Sequence, residues 1–436
     1  MNKIKIGVLG VYRGSTMIHY CKKAENAELV AICDKWKEGL DKAKELNDNL
    51  NISYYDNFND FIKHDMDAVV LANYANEHAP FAIKALKAGK HVYSEVLPVQ
   101  TMKEAVQLIE TIEETGKIYA YGENYCYMSG PNEMRKLYRD GVIGDLEYAE
   151  CEYFHNCESF WSGIAYGDPT HWRNNMYSTF YCTHSFGPIR HITGLRPVSV
   201  VGFESTHNER SDRTGAKGAA FGIEMVTMEN GAIVKSGHGG TYRNSIWYSL
   251  SGSKGRMETA REDADNGSYN RVYLDADEYS GGYNREGSRR ETYMATDSLD
   301  ELAKKYGHGG SDFYSMYNFV EKIKGAENTN SIDIYEALDM CMVGMFAYRS
   351  ILKGGIPMEI PDLRKKEERE KWKNDTACTD PKVAGDQLLP TRKSGTPKIE
   401  KGVYDYQKRL FEKSLKENTG YSKIMFDNYN DQKENK

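Results

Sequence analysis

The sequence predicts an α/β protein with a doubly wound parallel sheet in its first part and a large, mostly antiparallel sheet in its second part. Two patterns carry this prediction. Strand and helix patterns alternate from residue 4 to residue 121, as they do when helices cover both faces of a parallel sheet. From residue 146 onwards, apolar residues recur at every second position, which is typical of strands with one buried face.

The elements of the first part follow one another at short intervals. An apolar run from Ile4 to Leu9 leads into a glycine turn and then into a helix that Ser15 can cap. The later elements are the strands Leu29 to Cys33, Ala68 to Ala72, His91 to Ser94 and Lys117 to Tyr121, the helix Phe81 to Ala88, and a helix opened by Thr101 and Glu104. Such a sheet binds its ligand at the carboxyl ends of its strands.

The second part contains a hairpin and two long helices. Phe221 to Met228 and Ala232 to Lys235 flank a Glu-Asn-Gly turn, which predicts an antiparallel pair. The other predicted elements are the strands Leu146 to Tyr153, Val198 to Phe203, Trp247 to Ser251 and Gly255 to Glu258 and the helices Asp312 to Lys324 and Ile334 to Leu352. We therefore expect domains over residues 1–125 and 126–362. Residues 363–436 are expected to form an extended tail that packs on the body, with a mobile end.

Composition limits the class of partner. The 436 residues include 28% charged residues and carry a formal net charge of −7. Without a basic block, the chain is expected to bind a small molecule rather than nucleic acid. The eight cysteines are scattered and indicate neither a metal site nor a disulfide framework. A first strand that begins at once, and the lack of a long apolar run, predict a cytoplasmic protein with no membrane partner.

The first turn predicts a dinucleotide site. Asp34 ends the second strand, about 20 residues after the glycine turn, where a carboxylate accepts hydrogen bonds from a ribose 2′-hydroxyl. Because that carboxylate disfavours a 2′-phosphate, the expected cofactor is NAD rather than NADP. The turn itself is irregular, since Gly7 to Tyr12 does not fit G-x-G-x-x-G and Tyr12 lies near the position of the second glycine.

Two pairs of side chains are suited to proton transfer. Tyr181 and His184 are one helical turn apart and would face the same side, and a nearby cation that lowered the tyrosine pKa would make it a base. Tyr153 and His155 have strand spacing, which directs both side chains to one face of a sheet. Arg173 could bind a hydroxyl or acyl group. Structural roles are expected for His308, at a helix start, and for Gly237 to Gly240, at a strand end.

Taken together, these segments resemble the Gfo/Idh/MocA oxidoreductases, named for glucose-fructose oxidoreductase and inositol dehydrogenase. The resemblance covers nearly all of the chain. The supporting segments are Ile6 to Gly14, Ala31 to Asp34, Ala88 to Glu95, Gly252 to Gly255 and Gly355 to Pro361. The family implies a Rossmann domain that binds NAD(P), followed by an α/β domain whose open antiparallel sheet holds a sugar and often mediates oligomerisation. A homodimer or homotetramer is therefore expected.

One segment departs from most of that family. Its dehydrogenases have Glu-Lys-Pro after the fourth or fifth strand, and the lysine assists deprotonation of the hydroxyl being oxidised. In the segment Ser94 to Pro98 the lysine position is Val96. The Glu-Val pair is similar to the branch that includes the NAD-dependent α-N-acetylgalactosaminidases of glycosidase family 109. Further segments similar to that branch are Gly122 to Met128, Glu152 to His155, Trp172 to Arg173 and Tyr181 to Pro188.

The resemblance, together with the motifs above, assigns the candidate site residues. The residues expected to contact NAD are Gly10, Arg13, Gly14, Asp34, Ala75, Asn76, His78, Glu95, Val96 and Asn124. Those expected to line the sugar site are Tyr153, Arg173, Tyr181, Cys182, Thr183 and His184. The candidate catalytic residues are Tyr181, His184, Tyr153 and His155; their individual acid and base roles stay open at this point.

The function expected from this resemblance is a redox-neutral glycosidase. Oxidation at a sugar carbon, expected to be C3, would acidify the C2 proton, so that elimination expels the C1 substituent before water adds and the hydride returns. This route also accounts for the lack of a recognisable carboxylate pair of the usual glycosidase kind. The alternatives are a net NAD-dependent sugar or cyclitol dehydrogenase and a non-catalytic protein that binds sugar or NAD. The sugar, the anomer and the aglycone stay open.

Overall fold

The computed structural model describes residues 3–205, 209–241, 243–261, 270–277 and 288–429. Two sheets organise this part of the chain, as the alternation and the change of period predict. Within the described ranges no helix combines the length and the apolar character needed to cross a bilayer. Residues 430–436 lie outside the described residues. They make up most of the C-terminal end that the sequence predicts to be mobile.

The first sheet is parallel and has strand order β3-β2-β1-β4-β5-β6. This order is that of a dinucleotide-binding fold, with the change of direction between β1 and β4. The strands are β1 Ile4–Leu9, β2 Ala27–Cys33, β3 Ser53–Tyr55, β4 Ala68–Leu71, β5 His91–Ser94 and β6 Tyr119–Tyr121. All four residues of β4 are buried, because helices cover both faces of the sheet and leave no solvated side.

Helices connect these strands and cover the sheet. They are α1 Ser15–Lys23, α2 Lys37–Glu45, α3 Phe58–Phe61, α4 His78–Lys87 and α5 Met102–Thr115. The predicted capping box is present at α5, where the Thr101 side chain accepts from the Glu104 amide and the Glu104 side chain accepts from the Thr101 amide. Ser15 does not cap α1: it is the first helical residue, and Gly14 occupies the cap position without a side-chain bond.

The second sheet is mixed, with order β14-β13-β12-β11-β7-β10-β9-β8-β15. Its strands are β7 Leu146–Phe154, β8 Pro197–Ser205, β9 Phe221–Met228, β10 Ile233–Gly239, β11 Ser245–Gly252, β12 Gly255–Thr259, β13 Arg271–Asp277, β14 Ser288–Met294 and β15 Met358–Glu359. Among the described pairings only β7 with β10 is parallel. The predicted fold class is thus confirmed, and the predicted hairpin is the pair β9 and β10.

One face of this sheet is packed and the other is open. The packed face is covered mainly by α8 Thr183–Thr193 and α12 Ile334–Leu352, and α6 Ser129–Arg139 packs on β12 and β13. The other helices of the second part are α7 Trp161–Ala165, α9 Glu209–Thr214, α10 Asp300–Ala303 and α11 Ser311–Ile323. The open face exposes apolar side chains of Tyr148, Phe203 and Ile233. The expected oligomerisation through this sheet stays a prediction.

Residues 363–429 are not extended throughout. They contain α13 Lys366–Trp372, α14 Pro381–Ala384, α15 Lys401–Glu417 and α16 Gly420–Asp427. Helix α15 has only two buried residues, Tyr404 and Gln407, so its helical pattern in the sequence is faint. The last two helices fold back against α7 and against the glycine turn of the first sheet.

Gly344 lets α12 approach the segment that leads into α8. A Cβ at this position would lie 2.0 Å from the carbonyl oxygen of Thr179 and 2.8 Å from Sγ of Cys182. Both atoms belong to the segment 179–182, which carries Tyr181. Because the carbonyl is backbone and buried, it has little room to yield.

We expect Gly344→Ala to lower the free energy of unfolding by about 1–3 kcal/mol, the usual cost of overpacking a core. Urea denaturation monitored by circular dichroism measures this change. Gly402→Ala is the matched control, since nothing lies within 4 Å of a Cβ there and alanine favours a helix. Equal stability of the two variants would contradict the close approach of α12.

Candidate active site

A cavity of about 580 Å³ opens at the carboxyl edge of the first sheet. Its walls include the ends of four parallel strands, at Gly10, Asp34, Asn73 and Glu95. A volume of this size is in the range of roughly 300–1,000 Å³ typical of small-molecule and cofactor sites. The position is the one that a doubly wound sheet predicts for its ligand.

Gly10 makes the first turn possible. Its φ is +106°, and a Cβ there would lie 2.5 Å from the carbonyl oxygen of Ala72. The turn therefore passes directly against the end of β4, which leaves its backbone close to any ligand in the cavity. Gly14 has a packing role instead, since a Cβ there would lie 2.1 Å from the carbonyl oxygen of Gly10.

Asp34 is held at the end of β2 by backbone amides. Oδ2 accepts a hydrogen bond from the amide of Val11 at 2.8 Å, and Oδ1 accepts one from the amide of Trp36 at 2.8 Å. Each carboxylate oxygen has two lone pairs, so both oxygens can still accept a ribose hydroxyl. Burial raises the pKa of Asp34, and the two amide bonds oppose that rise.

Arg13 ties the turn to the end of β5 and to α11. Its Nη2 donates to Oε1 of Glu95 at 2.8 Å and to Oδ1 of Asp312 at 3.0 Å. Nδ1 of His308 lies 3.0 Å from Oδ2 of Asp312, and the Asn124 amide donates to Oδ1. Burial opposes ionisation of Asp312, but Arg13 and His308 hold its pKa well below the usual value.

Glu95 is the second carboxylate of this cluster and lines the cavity. Burial raises its pKa, the neighbouring Asp312 acts in the same direction, and Arg13 opposes both. The two carboxylates of the cluster therefore differ: the pKa of Asp312 lies below its usual value, and the pKa of Glu95 lies above its usual value. His308 acts here as an ion-pair partner of Asp312 as well as lying at a helix start.

The C-terminal helices close over the cavity. Phe411 of α15 and Tyr421 of α16 both line it. Tyr12, the residue that disrupts the glycine pattern, donates from its hydroxyl to Oγ of Ser422 at 2.9 Å, and its ring meets that of Tyr421 edge-on at 5.6 Å. The irregular turn is thus the contact surface for the tail.

The opposite wall comes from the second domain. The rings of Trp172 and Tyr181 are stacked, with centroids 6.3 Å apart. The guanidinium carbon of Arg173 lies 4.3 Å from the centroid of Trp172 and 5.5 Å from that of Tyr181. No ion pair of Arg173 is found within the described part of the chain, so its charge is available to a ligand. All three side chains line the cavity.

His184 is paired with a buried carboxylate. Its Nδ1 lies 2.6 Å from Oε1 of Glu123, and both side chains are buried. The ring is surrounded by those of Tyr125, Tyr153 and Tyr181, at centroid distances of 4.4, 4.8 and 4.7 Å. Because Glu123 occupies Nδ1, Nε2 is the nitrogen free to exchange a proton.

Tyr181 differs from the sequence-based expectation in its pKa. Burial raises the pKa of its phenol, and Arg173 only partly offsets this effect. The expectation that a cation makes Tyr181 a base is therefore wrong: near neutral pH it is a hydroxyl donor. His184, backed by Glu123, is the better proton acceptor of the pair.

Tyr153 and His155 form a second pair beside the first. The hydroxyl of Tyr153 lies 2.7 Å from Nδ1 of His155. Burial and the neighbouring His184 lower the pKa of His155 to about 4, so the imidazole is neutral above roughly pH 5. A neutral Nδ1 can accept a hydrogen bond from the hydroxyl of Tyr153, whose own pKa is raised well above its usual value by burial.

Several predicted residues lie away from the cavity. Ala75, Cys182 and Thr183 are buried, and the side-chain amide of Asn76 donates to Asp380. His78 is buried with Nδ1 2.8 Å from the carbonyl oxygen of Leu97. Asn124 reaches the site only through Asp312. These residues, like Gly14 and His184, are not among those that line the cavity. Tyr153 and His155 line a smaller cavity beside it.

Sequence reasoning also missed important members of the site. Glu123, Asp312, Phe411 and Tyr421 gave no local signal, because lone carboxylates and aromatics are common in any chain. Glu123 lies in the segment Gly122 to Met128, whose similarity to the family 109 branch was the one available indication.

Two family profiles match the chain. Residues 4–123 match the oxidoreductase family with an NAD-binding Rossmann fold. Residues 244–374 match the C-terminal domain of glycosyl hydrolase 109. The chain combines a Gfo/Idh/MocA-type Rossmann domain with a C-terminal domain of the glycosyl hydrolase 109 type. Its cofactor is accordingly NAD, as the carboxylate of Asp34 predicts.

Individual relatives agree with this assignment. A glycosyl hydrolase family 109 protein of Solibacter usitatus is 27% identical over 422 residues, which cover 85% of this chain and 89% of that protein. An alpha-N-acetylgalactosaminidase of Tannerella forsythia is 26% identical over 386 residues, which cover 77% of this chain and 81% of that protein.

Solved structures share the fold of this chain. The scyllo-inositol dehydrogenase of Lactobacillus casei, crystallised with NAD(H) and scyllo-inositol, has a TM-score of 0.62 at 18% identity. The match covers 84% of this chain and 100% of that one. At this level of identity the likeness concerns the fold alone.

The residues present fit NAD. The turn at Gly10 brings backbone to the cavity, and Asp34 has lone pairs left for ribose hydroxyls. Glu95 and Val96 line the cavity between these groups and the wall of Trp172, Arg173 and Tyr181. These are the residues that would hold the dinucleotide.

We expect Tyr421→Ala to raise the dissociation constant for NAD about 10-fold, which corresponds to about 1.4 kcal/mol of lost aromatic packing. Isothermal titration calorimetry measures this constant. Tyr406→Ala is the matched control, because Tyr406 belongs to the same tail and is 53% exposed. Equal NAD affinity of the two variants would show that the tail is not part of the cofactor site.

Proposed function

We propose that this protein is an NAD-dependent glycosidase that oxidises its sugar transiently and restores it at the end of each turnover. The observation that carries the proposal is the buried pair of His184 and Glu123, whose imidazole lies with its ring centroid 4.7 Å from that of Tyr181 on the cavity wall. It supplies the proton acceptor that the family's lysine would otherwise provide. The name of the Tannerella forsythia relative makes an α-linked N-acetylgalactosaminide the first substrate to test.

When bound, NAD⁺ would supply the hydride acceptor for a carbon of the sugar, proposed to be C3, and its reduced form would supply the hydride that restores that carbon. His184 takes the proton of the hydroxyl group on that carbon through Nε2, and Glu123 stabilises the resulting imidazolium. Tyr181 donates a hydrogen bond to the same region of the sugar. Arg173 binds a hydroxyl or acyl oxygen beside it.

The second pair handles the carbon-bound proton. Next to a carbonyl, the C2 proton is acidic enough for a side-chain base to remove. His155, which is unprotonated near neutral pH, takes this proton at Nε2, while the hydroxyl of Tyr153 donates a hydrogen bond to its Nδ1 at 2.7 Å and fixes the orientation of the ring. Loss of the C1 substituent then leaves an unsaturated ketone, to which water adds. The chemistry needs two separate proton acceptors, and His184 and His155 are proposed for these roles.

The experiment that tests the function follows two signals at once. Purified protein is incubated with aryl glycosides and with free sugars while aglycone release and NADH absorbance are recorded. We expect release without stoichiometric NADH and, in D₂O, a product that carries deuterium at C2. NADH accumulation on a free sugar without release would instead identify a net dehydrogenase. Neither signal, in a protein that binds NAD, would identify a binding protein.

We expect His184→Ala to lower kcat on a cleavable glycoside by about 10³-fold, in the range that general bases contribute, with NAD affinity unchanged. Glu123→Gln, which keeps the contact but removes the charge, is expected to cost less. Val96→Lys is expected to give no gain, because the acceptor lies on the other wall. An increase in turnover with Val96→Lys would contradict this placement.

A further inference from the structure

A second buried histidine and glutamate pair lies in the packed face of the second sheet. Glu224 of β9 is fully buried, and His238 of β10 is 5% exposed. Nδ1 of His238 lies 3.4 Å from Oε1 of Glu224. The distance is that of an ionic contact rather than of an aligned hydrogen bond.

This arrangement is costly for a structural pair. Neither carboxylate oxygen of Glu224 has a hydrogen-bond partner within the described residues, and Nδ1 of His238 has none either. Burial of an unsatisfied carboxylate opposes folding strongly. The structural pair of His191 and Glu336, by contrast, has a close contact of 2.6 Å. An unsatisfied buried pair next to a cavity is typical of a functional site.

His238 lines a smaller cavity of about 160 Å³. Arg173 and Tyr181 line both this cavity and the larger one, so the two cavities meet at the proposed sugar site. His238 is also the cross-strand neighbour of Tyr153 in the parallel pair of β10 with β7, which places both side chains on one face. His238 therefore lies beside the sugar site, in the cavity without cofactor-binding residues.

We propose that the smaller cavity holds the leaving group and that His238, backed by Glu224, protonates the glycosidic oxygen as its bond to C1 breaks. This inference rests on the glycosidase function proposed above. Glu224 faces Nδ1, so Nε2 is the nitrogen that serves the ligand. The leaving group is an alcohol, such as the hydroxyl of a second sugar, for which Trp161 and Ser178 of this cavity provide an aromatic and a polar contact.

The step balances without a further reagent. The electron pair left at C2 by proton removal forms the C1–C2 double bond while the C1–O bond breaks. The proton of Nε2 moves to the departing oxygen, so an alcohol leaves and neutral His238 remains. When water adds at C1, its oxygen forms the new bond and one of its protons returns to Nε2. The electron pair of the C1–C2 double bond moves back to C2, which regains a proton from the base that removed it.

The other groups of the site do not meet this need. His184 and the pair of Tyr153 with His155 are engaged in removing protons. His155, with a pKa lowered to about 4 by burial, is unprotonated near neutral pH and enters the step as a base. An acid on the leaving-group side is therefore the one proton donor that the proposed mechanism still requires.

The test compares two leaving groups in His238→Gln. 4-Nitrophenolate leaves without a proton, whereas methanol or a sugar needs one. We expect kcat/KM to fall by about 100-fold or more for the methyl glycoside or disaccharide, the range of general acid catalysis, and by less than about 5-fold for the 4-nitrophenyl glycoside. A loss of equal size on both substrates, or on neither, would overturn the assignment.

Two further variants and one exchange measurement separate chemistry from folding. Glu224→Gln is expected to lower kcat/KM more for the methyl glycoside than for the 4-nitrophenyl glycoside, as His238→Gln does, but by a smaller factor. This variant keeps the proposal testable if His238→Gln does not fold. His191→Gln, at a buried histidine remote from both cavities, is the matched control and should change both substrates equally. Deuterium exchange at C2 of the free sugar should persist in His238→Gln, because no leaving group departs in that reaction.

Failure of this inference differs from failure of the proposed function. If wild type cleaves neither substrate and exchanges no C2 deuterium, the glycosidase proposal falls, and the inference falls with it. If wild type cleaves both but the variants show no selectivity, the function stands and His238 is not the acid. A steep dependence of wild-type kcat/KM on leaving-group pKa also rejects the inference. An acid catalyst protonates the leaving group as it departs, and this would make the rate nearly independent of leaving-group pKa.

Discussion

The contact between Glu123 and His184 is the constraint on which the site depends. Glu123 follows the last strand of the first sheet by two residues, and His184 lies in the first turn of α8, which packs on the second sheet. A buried carboxylate and a buried imidazole are each costly alone, so the two domains are held in the packing that brings them to 2.6 Å. That packing places the wall of Tyr181 and Arg173 against the cofactor cavity.

A second connection fixes the cofactor side of the cavity. Arg13, in the turn after β1, reaches Glu95 at the end of β5 and Asp312 in α11. The charges of Arg13 and Asp312 offset each other, which makes their burial tolerable. The C-terminal helices then pack on the same turn through Tyr12 and Ser422. Cofactor turn, strand end and tail are thus one connected structure.

The absence of a lysine at Val96 has a structural counterpart. The two proposals above assign proton transfer to histidines that each face a buried glutamate, His184 with Glu123 and His238 with Glu224. Both histidines belong to the second domain, on the side of the sugar. With this distribution, the strand-end segment of the first domain can remain apolar and serve the cofactor alone.

The fold was largely predictable because its signals are local. Period-2 and helical patterns, the capping box of Thr101 and Glu104, and the acidic end of β2 depend on residues near one another in the chain. Helix α12 was predicted at Ile334–Leu352, the bounds observed. Helices α15 and α16 were missed, because few of their residues are buried and their apolar side chains face a surface that the local pattern cannot reveal.

By itself, the sequence determined the two-sheet architecture, the preference for NAD, and the pairs Tyr181 with His184 and Tyr153 with His155, because each rests on spacing along one element. Only the tertiary structure decided that Glu123 faces His184, that Asp312 joins Arg13, and that Tyr421 covers the cavity. Glu123 and His184 are 61 residues apart in the chain, and Arg13 and Asp312 are 299 residues apart. The contact of Tyr12 with Ser422, which holds the tail in place beside the cavity, joins residues 410 positions apart. Contacts over such separations arise from the packing of whole elements, and no local pattern encodes them.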